Sequence, residues 1–163
     1  MSLMQPGACQ RPCLVLAIGN PSRGDDAFGP LLAERLQSWL SKQAPSVQDQ
    51  IDLIVEQQLV VEHVLDLQGR QRVLFIDAAA QGEPGAALQA ITAQAQPSVQ
   101  SHTCTPAQLL SLHQSLLSQA PPDAQLLTIT GHNFELDAPL SDAVQSAIPQ
   151  AWSLLQDWLN THA

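Results

Sequence analysis

The fold is decided by the stretch Cys13-Leu-Val-Leu-Ala-Ile-Gly-Asn-Pro-Ser-Arg-Gly-Asp-Asp-Ala-Phe-Gly29. Its first six residues are all apolar, which is typical of a strand buried on both faces in a parallel sheet covered by helices. A Gly-Asn-Pro turn ends this strand. Asp25 and Asp26 follow, and then apolar residues at three-four spacing predict an amphipathic helix to about Leu40.

The remainder of the chain alternates in the same way. Apolar runs predict strands at 51–56, 73–77, 87–93 and 125–130, and helical patterns cover 59–68, 105–118 and the segment from 141 onward. The link before residue 87 is too short for a crossover helix, so we expect an antiparallel edge strand there. These features predict a three-layer α/β/α sandwich with a twisted, mostly parallel five-stranded sheet, of the phosphorylase/hydrolase-like kind. We expect a flexible tail over 1–11 and one domain over 12–161.

The amino-acid composition limits the classes of molecule that the protein is expected to bind. The 163 residues include 6 Lys+Arg against 15 Asp+Glu, a net charge of −9. A nucleic-acid backbone or an anionic membrane would be repelled by this charge, so we expect neither as a partner. No apolar run is long enough to span a bilayer, and the first residues lack the apolar segment of a signal peptide. Three cysteines, an odd number, favour reduced thiols, although Cys9 and Cys13 could pair. We expect a cytoplasmic protein.

Several polar residues follow the predicted strands at their carboxyl ends, where ligands bind in open α/β sheets. Asp25 and Asp26 follow the first strand, Asp77 ends the third, His102 precedes the third long helix and His132 follows the last strand. Two carboxylates and one imidazole make a three-ligand set with open positions, suited to Zn²⁺ or Ni²⁺. Without metal, the same groups could act as a general base and its partner.

Each candidate also has a purely structural interpretation. One of Asp25 and Asp26 suffices to cap the helix that follows, and Asp77 and His102 could be ordinary loop residues. Three further polar residues have no predicted chemical role: His63, His113 and Cys104. We expect the two histidines on solvated helix faces and the cysteine as a small buried residue.

A nucleotide-binding loop is the main rival interpretation of the stretch after the first strand. Its glycines, Gly19, Gly24 and Gly29, are five residues apart and do not form the G-x-G-x-x-G pattern. Pro21 removes one amide donor, and two aspartates at the helix start would repel a phosphate. The sequence therefore favours a cation over a phosphate at this position.

At the level of motifs, residues 17–29 resemble the N-terminal signature of the [NiFe]-hydrogenase maturation proteases. That signature is a strand, Gly-x-Gly-Asn, a short linker, Asp-Asp or Asp-Glu, and a later Gly. Further matches follow in order: Leu-Phe-Ile-Asp77-Ala, Ser101-His102 before a leucine-rich helix, and Ile129-Thr-Gly131 before a final helix with an internal Pro. One departure is Ala17 in place of the first glycine. The resemblance covers about residues 13–160.

The resemblance implies a five-stranded α/β/α fold and a defined activity. Proteins of this family remove a short C-terminal extension from the precursor of the hydrogenase large subunit after nickel insertion. Their metal-binding side chains fall on Asp26, Asp77 and His102 here, which would be both the catalytic and the metal-binding residues. The nickel is carried by the substrate, and Zn²⁺ or Cd²⁺ are possible surrogates. Asp25 is assigned to capping and to shaping the loop.

Two further classes of function stay open at this point. The same three residues could serve a nickel-checkpoint module that binds the large subunit without cutting it, and a nucleotide-binding module is the third possibility. For a peptidase, the attacking water could be bound to the metal or activated by Asp26 or Asp77. His132 is either an added ligand or a bystander.

Overall fold

The computed structural model describes residues 10–94 and 103–161. The strands are β1 (Cys13–Ile18), β2 (Ile51–Glu56), β3 (Arg72–Ala79), β4 (Ala86–Ile91) and β5 (Asp123–Thr130). The α-helices are α1 (Phe28–Leu40), α2 (Pro45–Gln48), α3 (Val64–Leu67), α4 (Pro106–Leu117) and α5 (Asp142–Asn160). Single 3₁₀ turns at Gly24–Ala27 and Val61–His63 precede α1 and α3.

The five strands form one sheet in the order β2-β1-β3-β5-β4. All neighbouring pairs are parallel except β4 with β5, which is antiparallel. The predicted antiparallel edge strand is therefore confirmed. β2 lies on one side of β1 in the sheet and β3 lies on the other. The order in which strands are added therefore reverses direction between β1 and β3. In such sheets this reversal opens a crevice at the carboxyl ends of the two strands.

Both faces of β1 are buried, as the apolar run predicts. Val15 and Ala17 belong to the core cluster that includes residues of α1 and α5, whereas Leu14, Leu16 and Ile18 belong to the cluster that includes residues of α3 and α4. Alternate side chains of one strand thus enter both helical layers. The three-layer α/β/α architecture is confirmed. The Ala17 methyl group is fully buried in the first cluster.

The predicted helix over 59–68 is wrong in its first part. Val60 is extended and forms an antiparallel bridge with Thr103, so the helical segment starts only at the turn Val61–His63 and continues as α3. β-Branched residues lose side-chain freedom in a helix, and the bridge offers the backbone an alternative partner. Gly69, with φ of +76°, follows the segment in the left-handed conformation that such ends favour.

Pro149 does not divide the last helix. The helix α5 is continuous over 19 residues with Pro149 inside it. Pro149 and Gln145, whose carbonyl loses its helical partner, are both exposed, so water can replace the missing donor. At the other end of the chain, Arg11, which lies in the predicted tail, donates from Nη1 to the carbonyl of Ile51 at 3.0 Å.

Asp25 does not cap α1, contrary to the sequence-based assignment, but it does shape a loop. The side chain is fully buried and joins the β1–α1 connection to the β5–α5 connection. Oδ2 accepts the backbone N–H groups of His132 (2.7 Å) and Asn133 (3.1 Å) and the hydroxyl of Ser141 (2.8 Å), and Oδ1 accepts the Ser141 N–H (2.7 Å). Burial raises the pKa of Asp25, but these bonds outweigh it and lower the pKa overall.

His63 and His113 are buried, so the prediction that they lie on solvated faces is wrong. The ring of His63 accepts the Val60 N–H at Nδ1 (2.9 Å). His113 is 2% exposed, and neither ring nitrogen has a well-formed hydrogen bond within the described residues. Burial lowers the pKa of His113, and the backbone of Gln119 offsets only part of this effect.

Among the helices of the described residues, none is both long and apolar enough to cross a bilayer.

Replacing Asp25 should destabilise the fold. Asp25→Ala leaves three backbone N–H groups without their acceptor, and we expect a loss of roughly 3 kcal/mol in the free energy of unfolding. Asp25→Asn keeps one acceptor oxygen and should lose less. Urea unfolding of both variants tests this, with exposed Asp157→Ala as the control. Equal stability of Asp25→Ala and the control would contradict the assignment.

The buried ring of His113 should make the fold sensitive to acid. Because folding lowers its pKa from 6.5, the unfolded chain binds a proton more readily, and the free energy of unfolding should fall as the pH drops below about 6.5. His113→Leu should lose less stability between pH 7 and pH 5 than the unmodified chain. Thermal melts across this range test it, with the exposed His132→Leu as the matched variant. Parallel curves for all three proteins would refute it.

Candidate functional site

A cleft lies at the carboxyl ends of β1 and β3, where the connection of the sheet reverses direction. Its volume is about 400 Å³. Two of the predicted site residues, Asp26 and Asp77, lie on its walls. The other lining residues come from the ends of β1 and β3, the segment after β2, and the start of α4 with the residues before it, and are Ile18, Gln57, Gln58, Leu59, Ala78, Thr103, Cys104, Thr105 and Pro106.

Asp26 is positioned by the loop that follows β1. Its Oδ2 accepts the backbone N–H of Asn20 at 2.8 Å, and its own N–H donates to the carbonyl of Arg23 at 3.0 Å. Gly19 has φ of +148°, and a Cβ atom there would lie 2.0 Å from the Asp26 carbonyl oxygen. Only glycine therefore permits this close return of the chain. The loop presents the carboxylate at the cleft from a rigid backbone.

Asp77 enters the cleft from β3, the strand next to β1. It is paired in register with Thr128 of β5, and its Oδ1 accepts the N–H of Ala78 at 2.9 Å. Burial raises the pKa of Asp77 from 3.8 to about 7, the Ala78 N–H lowers it in part, and the negative charge of Asp26 raises it further. No cationic side chain of the described residues contributes to this shift. Within residues 10–94 and 103–161, the two carboxylates are thus brought together without a cationic side chain to offset the charge of Asp77.

His102, the third predicted ligand, lies outside the described residues. The next residues of the chain do form part of the cleft. Thr103 is bridged to Val60, and the N–H of Cys104 donates to the carbonyl of Leu59 at 3.1 Å. In the two described segments, no three His, Cys, Asp or Glu side chains are grouped closely enough to hold a metal ion. Asp26 and Asp77 are therefore brought together, while the place of His102 stays a prediction.

The surroundings of Cys104 do not favour the thiolate form of its side chain. It is partly buried, and burial together with the negative charge of Glu62 raises the pKa of its thiol. Cys104 also lines the cleft, which the sequence did not indicate, since a single cysteine before a helix carries no positional signal.

Gln57 and Gln58 were also missed as cleft residues. Both are exposed and follow β2 directly, so the rule that ligands bind beyond the carboxyl ends of strands could have found them. His132, in contrast, is exposed and does not line the cleft; its backbone N–H bonds to Asp25. The structure therefore gives His132 a place in the supporting loop and not among the cleft residues.

Neutralising Asp77 should stabilise the free protein at neutral and alkaline pH. Between pH 3.8 and about 7 the folded chain holds a proton that the unfolded chain has lost, so the free energy of unfolding falls as the pH rises through this window. Asp77→Asn removes this dependence and should be more stable above pH 7, by at most about 4 kcal/mol for a pKa shift of this size. Melting temperatures from pH 5 to pH 8 test this, with Asp157→Asn as the exposed control. An Asp77→Asn advantage that does not grow with pH would contradict it.

Comparison by sequence gives no match, because no family model and no curated protein matches the chain. Comparison by structure gives several matches. The hydrogenase-maturating endopeptidase HybD from E. coli superimposes with a TM-score of 0.68, at 20% identity, over 93% of each chain. A [NiFe]-hydrogenase maturation protease, HycI from Thermococcus kodakarensis, gives 0.65 at 23% identity over 94% of each chain.

A third similar structure is the solution structure of an endopeptidase from Escherichia coli, with a TM-score of 0.70 at 19% identity over 93% of each chain. Each alignment covers almost the whole described fold. The fold that the sequence resemblance implied is thereby confirmed. The chain shares the fold of these maturation endopeptidases.

Proposed function

We propose that the chain is an endopeptidase that removes the C-terminal extension of a [NiFe]-hydrogenase large-subunit precursor after nickel has been inserted. The observation that carries the proposal is the pair Asp26 and Asp77, which the loop after β1 and the adjacent strand β3 present in one cleft, with no cationic side chain of the described residues offsetting the charge of Asp77. The shared fold with maturation endopeptidases supports the same reaction class.

The chemistry of the donor groups suits nickel that is part of the substrate. Two carboxylate ligands, together with the imidazole of His102, form an incomplete coordination set with open positions. Cysteine ligands of the substrate would fill those positions. The net charge of −9 and the paired carboxylates favour a cationic centre over a phosphate. Asp26 and Asp77 would thus recognise the loaded substrate and seat its cleavage segment in the cleft.

The chain would contribute to peptide hydrolysis in two ways. It holds the scissile peptide beside the nickel, which polarises the peptide carbonyl as a Lewis acid. It also supplies carboxylates that can accept a proton from the attacking water. Correct binding of the substrate requires Asp26 to keep its orientation. The hydrogen bond from the Asn20 N–H and the turn at Gly19 hold it in that orientation.

A checkpoint module that binds the loaded large subunit without cutting it would use the same residues. The two functions differ in the mass of the precursor after incubation. We place the reaction in the cytoplasm, where Cys13 and Cys104, the free cysteines of the described residues, would stay reduced.

Removing any of the three predicted ligands should abolish processing. We expect Asp26→Ala, Asp77→Ala and His102→Ala to lower the rate of precursor cleavage by at least about 100-fold, since each loses a contact to the cation that orients the scissile bond. The measurement is the intact mass of nickel-loaded and nickel-free precursor after incubation with each variant. Only the loaded precursor with the unmodified chain should lose its extension.

The matched control is His132→Ala, because this ring is exposed and lies outside the cleft lining. It should process the precursor at close to the unmodified rate. Full processing by Asp26→Ala would refute the assignment. A stable complex with the loaded precursor but no loss of mass would show that the checkpoint function is correct instead.

A further inference from the structure

Within residues 10–94 and 103–161, no strand pairs with the sheet edge beside the cleft. β2 is an outer strand, paired on its inner side with β1. On that side the N–H of Cys13 donates to the carbonyl of Gln50, and the N–H of Gly19 donates to the carbonyl of Glu56. Main-chain groups alternate in direction along a strand, so those of Leu53 and Val55 point away from the sheet. Among the described residues, nothing hydrogen-bonds to these outward groups.

The protection of this edge is uneven. At its start, the guanidinium of Arg11 donates to the outward carbonyl of Ile51 and lies 3.6 Å from Asp52. Such charged side chains are a usual way to block an exposed strand edge. Beyond this point the edge carries the apolar residues Leu53 and Val55, and Val55 is 48% exposed. We call residues 53–57, which no charged side chain of the described residues blocks in this way, the open edge.

The open edge leads directly into the cleft. Its last residue, Gln57, and the next, Gln58, line the same cavity as Asp26 and Asp77. A strand added to the open edge would therefore end at the two carboxylates. Five residues of extended chain span roughly 17 Å, the distance from the cleft to the position that Arg11 blocks.

We propose that the open edge binds the C-terminal extension of the protein substrate as an additional β-strand. This inference rests on the proposed function. A segment can lie along the edge only if no folded structure follows it in the chain. The C-terminal extension is such a segment and occupies the open edge, whereas the residues before the scissile bond remain part of the folded substrate. The scissile bond sits at the carboxyl end of β2, and the extension therefore runs antiparallel to β2. Main-chain hydrogen bonds supply the affinity, as in other cases of β-strand addition.

The test compares proline substitutions on the two edges of the sheet. Val55→Pro removes an outward N–H of the open edge and leaves the bonds to β1 in place. Ala90→Pro does the same on the other edge strand, β4. There the N–H of Thr130 donates to the carbonyl of Gly85, so the groups of Ala90 point outward by the same alternation. Val55→Thr keeps the N–H and the side-chain shape.

We expect Val55→Pro to raise the KM for nickel-loaded precursor about tenfold with kcat nearly unchanged, because a binding contact is lost and no reacting group is touched. Val55→Thr and Ala90→Pro should behave like the unmodified chain. Equal KM values for both proline variants would overturn the inference while leaving the proposed function intact. If the unmodified chain does not cleave the loaded precursor, the proposed function fails and this inference fails with it.

Hydrogen exchange gives a second measurement that does not depend on the folding of a variant. A saturating excess of a synthetic peptide with the sequence of the extension should slow exchange of the Leu53 and Val55 amides and leave that of Ala90 unchanged. No change at Leu53 and Val55 would overturn the proposal. So would a dimer in sedimentation that Val55→Pro dissociates, because the open edge would then belong to a second copy of the chain.

Discussion

The close return of the chain after β1 is the constraint on which the rest of the site depends. The turn Gly24–Ala27 lies directly against the end of β1, and Gly19 and Gly29 leave no room for a side chain. A Cβ atom at Gly19 would lie 2.0 Å from the Asp26 carbonyl oxygen, and one at Gly29 would lie 2.3 Å from the Ile18 carbonyl oxygen. Contacts this short between non-bonded heavy atoms are repulsive. The approach is possible only with glycine, and it holds Asp26 at the mouth of the cleft.

A second connection stabilises this loop from the other side. Asp25, next to Asp26, points away from the cleft and accepts hydrogen bonds from the segment between β5 and α5. The two adjacent aspartates thus have different roles: Asp25 joins two loops by hydrogen bonds, and Asp26 faces the cleft. A buried carboxylate with several backbone donors is stable without a cation, whereas Asp77, with one donor, is not compensated in the same way. Asp77 therefore keeps most of the cost of its burial, whereas the hydrogen bonds of Asp25 offset that cost.

The arrangement of the strands determines where the cleft lies and also in which direction a bound peptide can extend from it. The loop after β1 and the strand β3 present the two carboxylates, while β2 ends at the same rim, and its outer edge is unpaired within the described residues. A substrate that places a bond between the carboxylates therefore has an extended surface beside it to contact. β4, the other outer strand, runs antiparallel, so it starts at this rim and leads away from it.

Much of this arrangement was determined by the sequence alone. The apolar run 13–18, the strand that ends at Asp77 and the order of the elements follow from local periodicity, and they predicted the α/β/α layers and the edge at which Asp26 and Asp77 meet. Tertiary structure decided the rest. The roles of Asp25, His63 and His113 depend on which distant backbone groups surround them, and a helical pattern does not show whether another element covers its polar face. The bridge that makes Val60 extended pairs it with Thr103, 43 residues further along the chain, and no local signal encodes such a partner.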